Sequence, residues 1–225
     1  MIRLESLRPP PVDLAFALSA TSFQSNVSYP LMKEVINSII QQYGTKDIHF
    51  SFIIYGSEAS TKFSFTKEQV DPDDLRRFVT FMPEITPPTS PHVALKAASE
   101  AFKGSGVRAN ASKVLVLMTD VKGDSSKEEI ESTFAPLKEQ KVKVISVGIG
   151  SDVDTNELVN ITGNSNNVIT VPIDAGKTPL TKELMEKVLR PGLDNTYFIL
   201  GNIRFWIIYP PIINLSIYFR RELLV

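Results

Sequence analysis

Three nearly continuous apolar runs, Val12–Leu18, Val114–Thr119 and Val142–Val147, alternate along this chain with segments whose apolar residues recur every three or four positions. Such runs read as strands buried on both faces, as in the middle of a parallel sheet. Leu31, Met32, Val35, Ile36, Ile39, Ile40 and Tyr43 keep helical spacing. Pro30 is expected near the first turn of that helix, with Gly44 just past its end. Ile48–Tyr55 reads as a strand. Thr61–Phe65 alternates, with Phe63 and Phe65 inward and Lys62 and Ser64 outward, so the two form a hairpin at a sheet edge. Helices are predicted over Leu75–Met82 behind the acids Asp71, Asp73 and Asp74, over Pro91–Phe102, from Ser126 onward, over Asp154–Thr162 and over Leu180–Leu189. A further strand is predicted at Val168–Val171. Strands alternating with helices, plus one hairpin, predict an α/β fold: a doubly wound, mostly parallel six-stranded sheet with one antiparallel edge strand and helices on both faces. Residues 12–190 form this module. Residues 1–11, ending in Pro9-Pro10-Pro11, read as a stiff linker, and 191–225 as a hydrophobic tail.

Two strand ends carry the candidate chemistry. In an open parallel sheet, ligands bind beyond the carboxyl ends of the strands, where the strand order reverses. The first strand spills into Ser19, Ala20, Thr21, Ser22 and Phe23, and the strand at Val114–Thr119 delivers Asp120. Hydroxyls beside a carboxylate make an oxygen-lined cation site, but the first corner supplies no carboxylate of its own.

Composition narrows the function classes. With 225 residues, 43% of them hydrophobic, the chain can bury a full-sized core. A net charge of −1 and the absence of a basic block give no reason to expect a nucleic-acid partner. The absence of cysteine excludes disulfides, thiolate catalysis and Cys-based zinc sites. A nucleotide site would need a glycine-rich first strand-to-helix turn, and Ser19–Ser28 holds no glycine; Gly148-Ile149-Gly150 lacks the third. His49 and His92 are the only histidines, and each reads as a surface or capping residue, since no nucleophile-elbow sequence accompanies them. No catalytic residue is assigned, and the chain is not expected to be an enzyme.

The order Val12–Leu18, Phe52-Ile53-Ile54-Tyr55-Gly56, Thr89 ahead of Ala94-Leu95, Lys113–Asp120 and Val144–Gly150 followed by Glu157-Leu158 resembles the von Willebrand factor A domain, over about Val12–Arg190. Within that family it is most similar to the extracellular matrix branch, as in collagen VI and matrilins. The resemblance implies a secreted, non-enzymatic adhesion and assembly module whose partners are matrix proteins such as collagen, with a metal-dependent adhesion receptor head or an intracellular scaffold of the same fold as the alternatives. It also implies a Mg²⁺ site at the strand ends, built by Asp-x-Ser-x-Ser after the first strand, a Thr in the middle loop and an Asp after the fourth strand. Here Ser19 stands for the Asp, Thr21 for the first Ser and Phe23 for the last, while Thr89 and Asp120 match. The metal set Ser19, Thr21, Thr89 and Asp120 is therefore degenerate. It has lost one negative charge and one ligating hydroxyl, and Mg²⁺ or Ca²⁺ is expected to bind weakly at best. Contact with partners is assigned to the loops of the same face: Ser22, Phe23, Gln24, Ser90, His92, Lys122 and Asp124.

Asn26-Val27-Ser28, Asn110-Ala111-Ser112 and Asn160-Ile161-Thr162 fit the N-glycosylation pattern, as does Asn214-Leu215-Ser216 in the tail. Asn26 and Asn110 are expected in loops and Asn160 at a helix end. The tail run Tyr197–Phe219 approaches the length of a membrane span and is the alternative anchor, although Arg204 and Pro210-Pro211 interrupt it.

Overall fold

The computed structural model describes residues 11–19, 25–83 and 89–189, and beyond them the strand backbones 197–200, 203–206 and 221–223. The chain divides into two units that part between Leu189 and Arg190.

The larger unit follows the order β1 (Val12–Ser19), α1 (Ser25–Tyr43), β2 (Ile48–Tyr55), β3 (Ala59–Phe63), α2 (Pro72–Thr80), α3 (Pro91–Ala101), β4 (Ser112–Thr119), α4 (Lys127–Glu139), β5 (Lys143–Ile149), α5 (Thr155–Thr162), β6 (Val168–Val171) and α6 (Lys177–Leu189). The six strands lie in the order β3-β2-β1-β4-β5-β6. All neighbours are parallel except β2 and β3, whose antiparallel pairing carries a register shift between Phe52 and Ile53. This is the predicted doubly wound sheet.

Side-chain alternation divides the core in two. Leu14, Phe16 and Leu18 of β1, with Val114, Val116 and Met118 of β4, pack with α1, α2 and α6. Ala15 and Ala17, with Leu115 and Leu117, face the buried residues of α3, α4 and α5. Ala15 and Ala17 share that second layer with Ala94 and Ala98 of α3. Small residues on both surfaces let helix and sheet approach closely, where larger ones would overpack.

Helix ends follow local chemistry. Asp71 caps α2 through the N–H groups of Asp73 and Asp74. Ser126 and Glu129 close a reciprocal capping box on α4. Gly44 takes φ +67 behind α1, where its N–H reaches Ile40 O, a backbone shape that L side chains rarely adopt. Element boundaries depart from expectation: β3 lies at Ala59–Phe63 instead of Thr61–Phe65, α2 at Pro72–Thr80 instead of Leu75–Met82, and α1 starts earlier than expected. α1 begins at Ser25, so Pro30 lies inside the helix rather than near its start. It removes the bond an N–H there would make to the carbonyl four residues back.

A buried ion pair anchors the amino-terminal ends of the strands. Asp13 is wholly buried in the run that reads as apolar from its neighbours. It accepts from Arg108 Nε at 2.8 Å and from the Arg108 backbone N–H at 2.7 Å. Arg108 also donates to the carbonyls of Val12 and Asp47. One guanidinium thus ties the loop before β4 to β1 and to the turn before β2. His49, half-buried on β2, titrates below its ordinary value, first because of burial and then because of the Arg108 charge.

The second unit contributes three short antiparallel strands, β7 (Tyr197–Leu200), β8 (Ile203–Trp206) and β9 (Arg221–Leu223). Among the described residues no helix is long and apolar enough to cross a membrane.

Removing one partner of a buried pair strands the other charge, at a cost of about 3–5 kcal/mol. Arg108→Ala is therefore expected to lower the urea-unfolding free energy by roughly that amount, and Asp13→Ala by a comparable one. Losses below about 1 kcal/mol, the range of an exposed ion pair, would show that the pair holds nothing together.

Candidate functional site at the carboxyl ends of the strands

The strand order reverses between β1 and β4, so the crevice lies where Ser19 ends one strand and Asp120 follows the other. Register places Leu18 beside Met118, and Ser19 beside Tyr55 of β2. Ser19 and Asp120 are each about 1% exposed.

Asp120 is held from α1. The Ser28 hydroxyl, itself fully buried, donates to Asp120 Oδ2 at 2.5 Å. Ser28 was not among the expected site residues. The signal for it is a polar residue on the buried stripe of α1, four positions before Met32, where a hydroxyl needs a partner. Beneath this corner the buried Tyr55 hydroxyl reaches Met118 O at 3.4 Å, and burial pushes its phenol well above the ordinary range.

Two other members of the expected metal set behave differently. Ser19 Oγ and Thr89 Oγ1 are buried without a hydrogen-bond partner. Thr21 lies outside the described residues, as do Ser22, Phe23 and Gln24. The described donors are therefore one carboxylate, already engaged by Ser28, and two neutral hydroxyls. That set does not fit a tightly held Mg²⁺, which takes near-octahedral oxygen ligation with carboxylate charge. Among the described residues no group of three His, Cys, Asp or Glu side chains gathers to hold a metal.

The remaining expected contact residues brace one another. Ser90 Oγ donates to Asp124 Oδ1 at 2.6 Å, while the Asp124 N–H donates to Thr89 O at 2.9 Å. The Ser90 N–H reaches Gly56 O behind β2. His92, in the first turn of α3, donates its backbone N–H to Ser125 Oγ, and its Nδ1 lies 2.9 Å from the same oxygen. Lys122 pairs with Asp154 Oδ2 at 3.1 Å. That bond, with the backbone N–H groups of Asn156 and Glu157, holds the Asp154 carboxyl below its usual range.

Glu157 is the second residue the expectation missed as a site residue. It is 8% exposed at the start of α5, and its Oε2 accepts the Gly123 N–H at 2.7 Å. A Cβ on Gly123 would lie 2.5 Å from Glu157 Oε1 and 2.4 Å from the Pro91 ring, so the close approach requires glycine. Burial raises the Glu157 carboxyl above its ordinary value. The Gly123 bond opposes the shift, and Asp154 adds to it. The signal in the sequence is position: Glu157 stands four residues before buried Ile161, on the inward side of α5.

The glycosylation asparagines fall in different settings. Asn110 is exposed in the turn before β4. Asn160 is exposed on α5, but Thr162 of its motif is buried, donating to Asn164 O and Val159 O. Asn26 lies in α1, not in a loop, because the helix starts one residue before it. The Ser28 of its motif is the donor to Asp120. Asn214 lies outside the described residues.

The model of the von Willebrand factor type A domain family matches residues 13–182. The human collagen alpha-6(VI) chain is 28% identical over 171 residues, 71% of this chain and 7% of that protein. Mouse integrin alpha-M is 28% identical over 110 residues, 48% of this chain and 10% of that one. The chain thus spans about a tenth or less of the length of these relatives. Among solved structures, proximal thread matrix protein 1 of the mussel byssus, with a zinc-occupied MIDAS motif, superposes with a TM-score of 0.66 at 21% identity. That match covers 80% of this chain and 48% of the other. The manganese-loaded TRAP protein of Plasmodium vivax gives 0.60 at 18% identity, covering 77% of this chain and 73% of that one.

Two outcomes are expected. Ser28→Ala removes a buried hydrogen bond to a carboxylate, and its unfolding free energy should fall by about 1.5–3 kcal/mol; no loss would mean that Asp120 does not depend on Ser28. Folded Glu157 holds its proton more readily than the unfolded chain does. The fold therefore loses stability as pH rises from the ordinary carboxylate value near 4.5 through the raised one. Glu157→Gln keeps an acceptor for Gly123 and removes this slope, so its urea midpoint should gain on that of the parent across that window. Curves that stay parallel with pH would refute the assignment.

Proposed function

Because the chain belongs to the von Willebrand factor type A domain family, we propose that it is a non-enzymatic protein-contact module of an extracellular matrix or adhesion assembly. The carrying observation is the state of the polar side chains at the strand ends. Ser28–Asp120, Ser90–Asp124, Lys122–Asp154 and Gly123–Glu157 each close on one another. Ser125 Oγ lies 2.9 Å from His92 Nδ1, but it also accepts the His92 backbone N–H, so this contact too ties the start of α3 to the loop before α4. Braced loops present a fixed surface, and preorganisation of that kind lowers the ordering cost of binding. The relationship to collagen VI and integrin chains supports a matrix protein such as collagen as the partner, and a secreted setting with glycans at exposed asparagines such as Asn110.

In this reading recognition uses loop shape and hydrogen bonds over Ser19–Gln24, Thr89–His92 and Asp120–Asp124, without requiring a divalent ion. Ser19 brings a hydroxyl where the family's metal-binding members bring a carboxylate, and Ser28 engages the carboxylate that remains. A second reading, a metal-dependent adhesion head, is favoured by the unpartnered hydroxyls of Ser19 and Thr89. Buried orphans of this kind call for a water or an ion.

Calorimetry separates the two. Titration with Mg²⁺ and Ca²⁺ to millimolar concentration is expected to give no heat of binding, whereas Ser19→Asp combined with Phe23→Ser should gain a saturable Mg²⁺ signal. Binding to immobilised collagen VI or fibrillar collagen should survive EDTA, and Lys122→Glu should weaken it. Saturable Mg²⁺ binding by the parent chain, with collagen binding abolished by EDTA, would replace the first reading with the second.

A further inference from the structure

A groove of about 510 Å³ opens at the edge of the sheet between β3 and α2, lined by Lys62, Arg77, Phe78, Phe81, Met82 and Pro83. We propose that it docks an extended segment of a partner protein in which an aromatic or branched apolar side chain is flanked by carboxylates. The site is separate from the strand-end loops, and neither the family match nor the relatives assign it.

Its walls are apolar and fixed. Phe78 stacks on Phe52 at 6.2 Å and lies 5.5 Å from Phe63, so its ring is anchored in the core layer. Met82 is 4% exposed. The backbone behind the groove is pinned to α1, where the Tyr29 hydroxyl donates to Pro83 O at 2.9 Å and Lys33 donates to Thr80 O at 3.1 Å. Phe81, by contrast, is 81% exposed. Among the described residues the only other exposed large apolar side chain is Val27, at 51%. A large aromatic left in water beside a preformed apolar slot is the arrangement that interfaces use as an anchor. The volume lies within the range of sites that hold small ligands or single peptide side chains.

Charge decides which segment fits. Lys62 and Arg77 contribute the only charged groups of the lining among the described residues, and both are cationic. Arg77 pairs with Asp74 at 2.5 Å, but the two side chains are 72% and 64% exposed. Such a pair is worth little and can exchange for a ligand carboxylate. A cationic segment would meet repulsion, and a neutral apolar one would gain only the burial of Phe81. A segment with acids on either side of an apolar residue satisfies both cations and covers the ring.

The probe is an acetylated and amidated peptide of sequence Glu-Asp-Phe-Asp-Leu-Glu, titrated into the ¹⁵N-labelled full chain and followed by NMR. The backbone amides of Lys62, Arg77, Phe81 and Met82 should shift in a saturable way. Replacing the acids by their amides should weaken binding about fivefold or more, as expected for a rim of charge-assisted contacts. Phe81→Ser should weaken binding about tenfold, as for loss of an aromatic anchor. Its melting temperature should stay unchanged, since the ring is exposed. Lys62→Glu should shift the preference toward the lysine counterpart of the peptide. The proposal is overturned by equal binding of acidic, amide and lysine peptides, by shifts centred on other residues, or by no binding up to about 5 mM, beyond which affinity is negligible. It is also overturned if these amides shift with protein concentration alone, which would make the occupant a second copy of the chain.

Discussion

Asp120 is buried where β4 ends, and a carboxylate in that position has to be answered from within the protein or by a bound ion. The answer here includes a hydroxyl from α1, Ser28, at 2.5 Å. That bond couples three things that the fold brings together at the reversal of strand order: the end of the central strand, the first turns of the helix that follows β1, and the floor of the crevice. Charge is the deciding quantity. With Ser19 in place of a carboxylate, the corner carries one formal negative charge among its described donors, and a neutral donor can satisfy part of it. A second carboxylate beside Asp120 would change the balance, because like charges at short range disfavour joint ionisation unless a cation lies between them.

The same economy runs through the surrounding loops. Thr89, Ser90 and Asp124 join the loop before α3 to the loop after β4. Gly123 and Lys122 join that second loop to the start of α5 through Glu157 and Asp154. Side chains that look available in the sequence are spent on holding loops against one another. The surface these loops offer is then set by backbone shape and by the outward parts of those residues.

The fold was legible because its signals are redundant. The two-sided burial of β1 and β4 writes unbroken apolar runs into the sequence, and the partial exposure of β3 marks it as an edge. That Ser19 and Asp120 stand at the ends of neighbouring strands was legible from the ends of the apolar runs. What they bond to was not, since Ser28 and Asp120 are 92 residues apart and nothing local links them. The start of α1 was misplaced for a related reason. Proline favours the first turn, but the helix is fixed by packing of Tyr29, Met32 and Val35 against the sheet, which holds Pro30 further inside it. Asp13 illustrates the limit most plainly. Between Val12 and Leu14 it reads as a tolerated interruption, and only the folded chain reveals that Arg108, 95 residues away, makes it a buried pair.

Each end of the sheet buries a carboxylate, and the partners described for the two differ in kind. At the amino-terminal end Asp13 meets a guanidinium that also holds the carbonyls of Val12 and Asp47, a charged, many-bonded clamp that cannot be rearranged without exposing a charge. At the carboxyl-terminal end Asp120 meets a hydroxyl, while Ser19 and Thr89 keep donors in reserve. A hydroxyl contact can be exchanged for a water or for a partner's polar group provided that the newcomer donates to Asp120 in its place, since the buried carboxylate needs a donor. The buried ion pair thus stands at the end that only has to hold the strands in register. Exchangeable polar contacts are concentrated at the end where the strand order opens a crevice, and a protein partner with its own hydrogen-bonding groups is the kind of ligand such an end can accept.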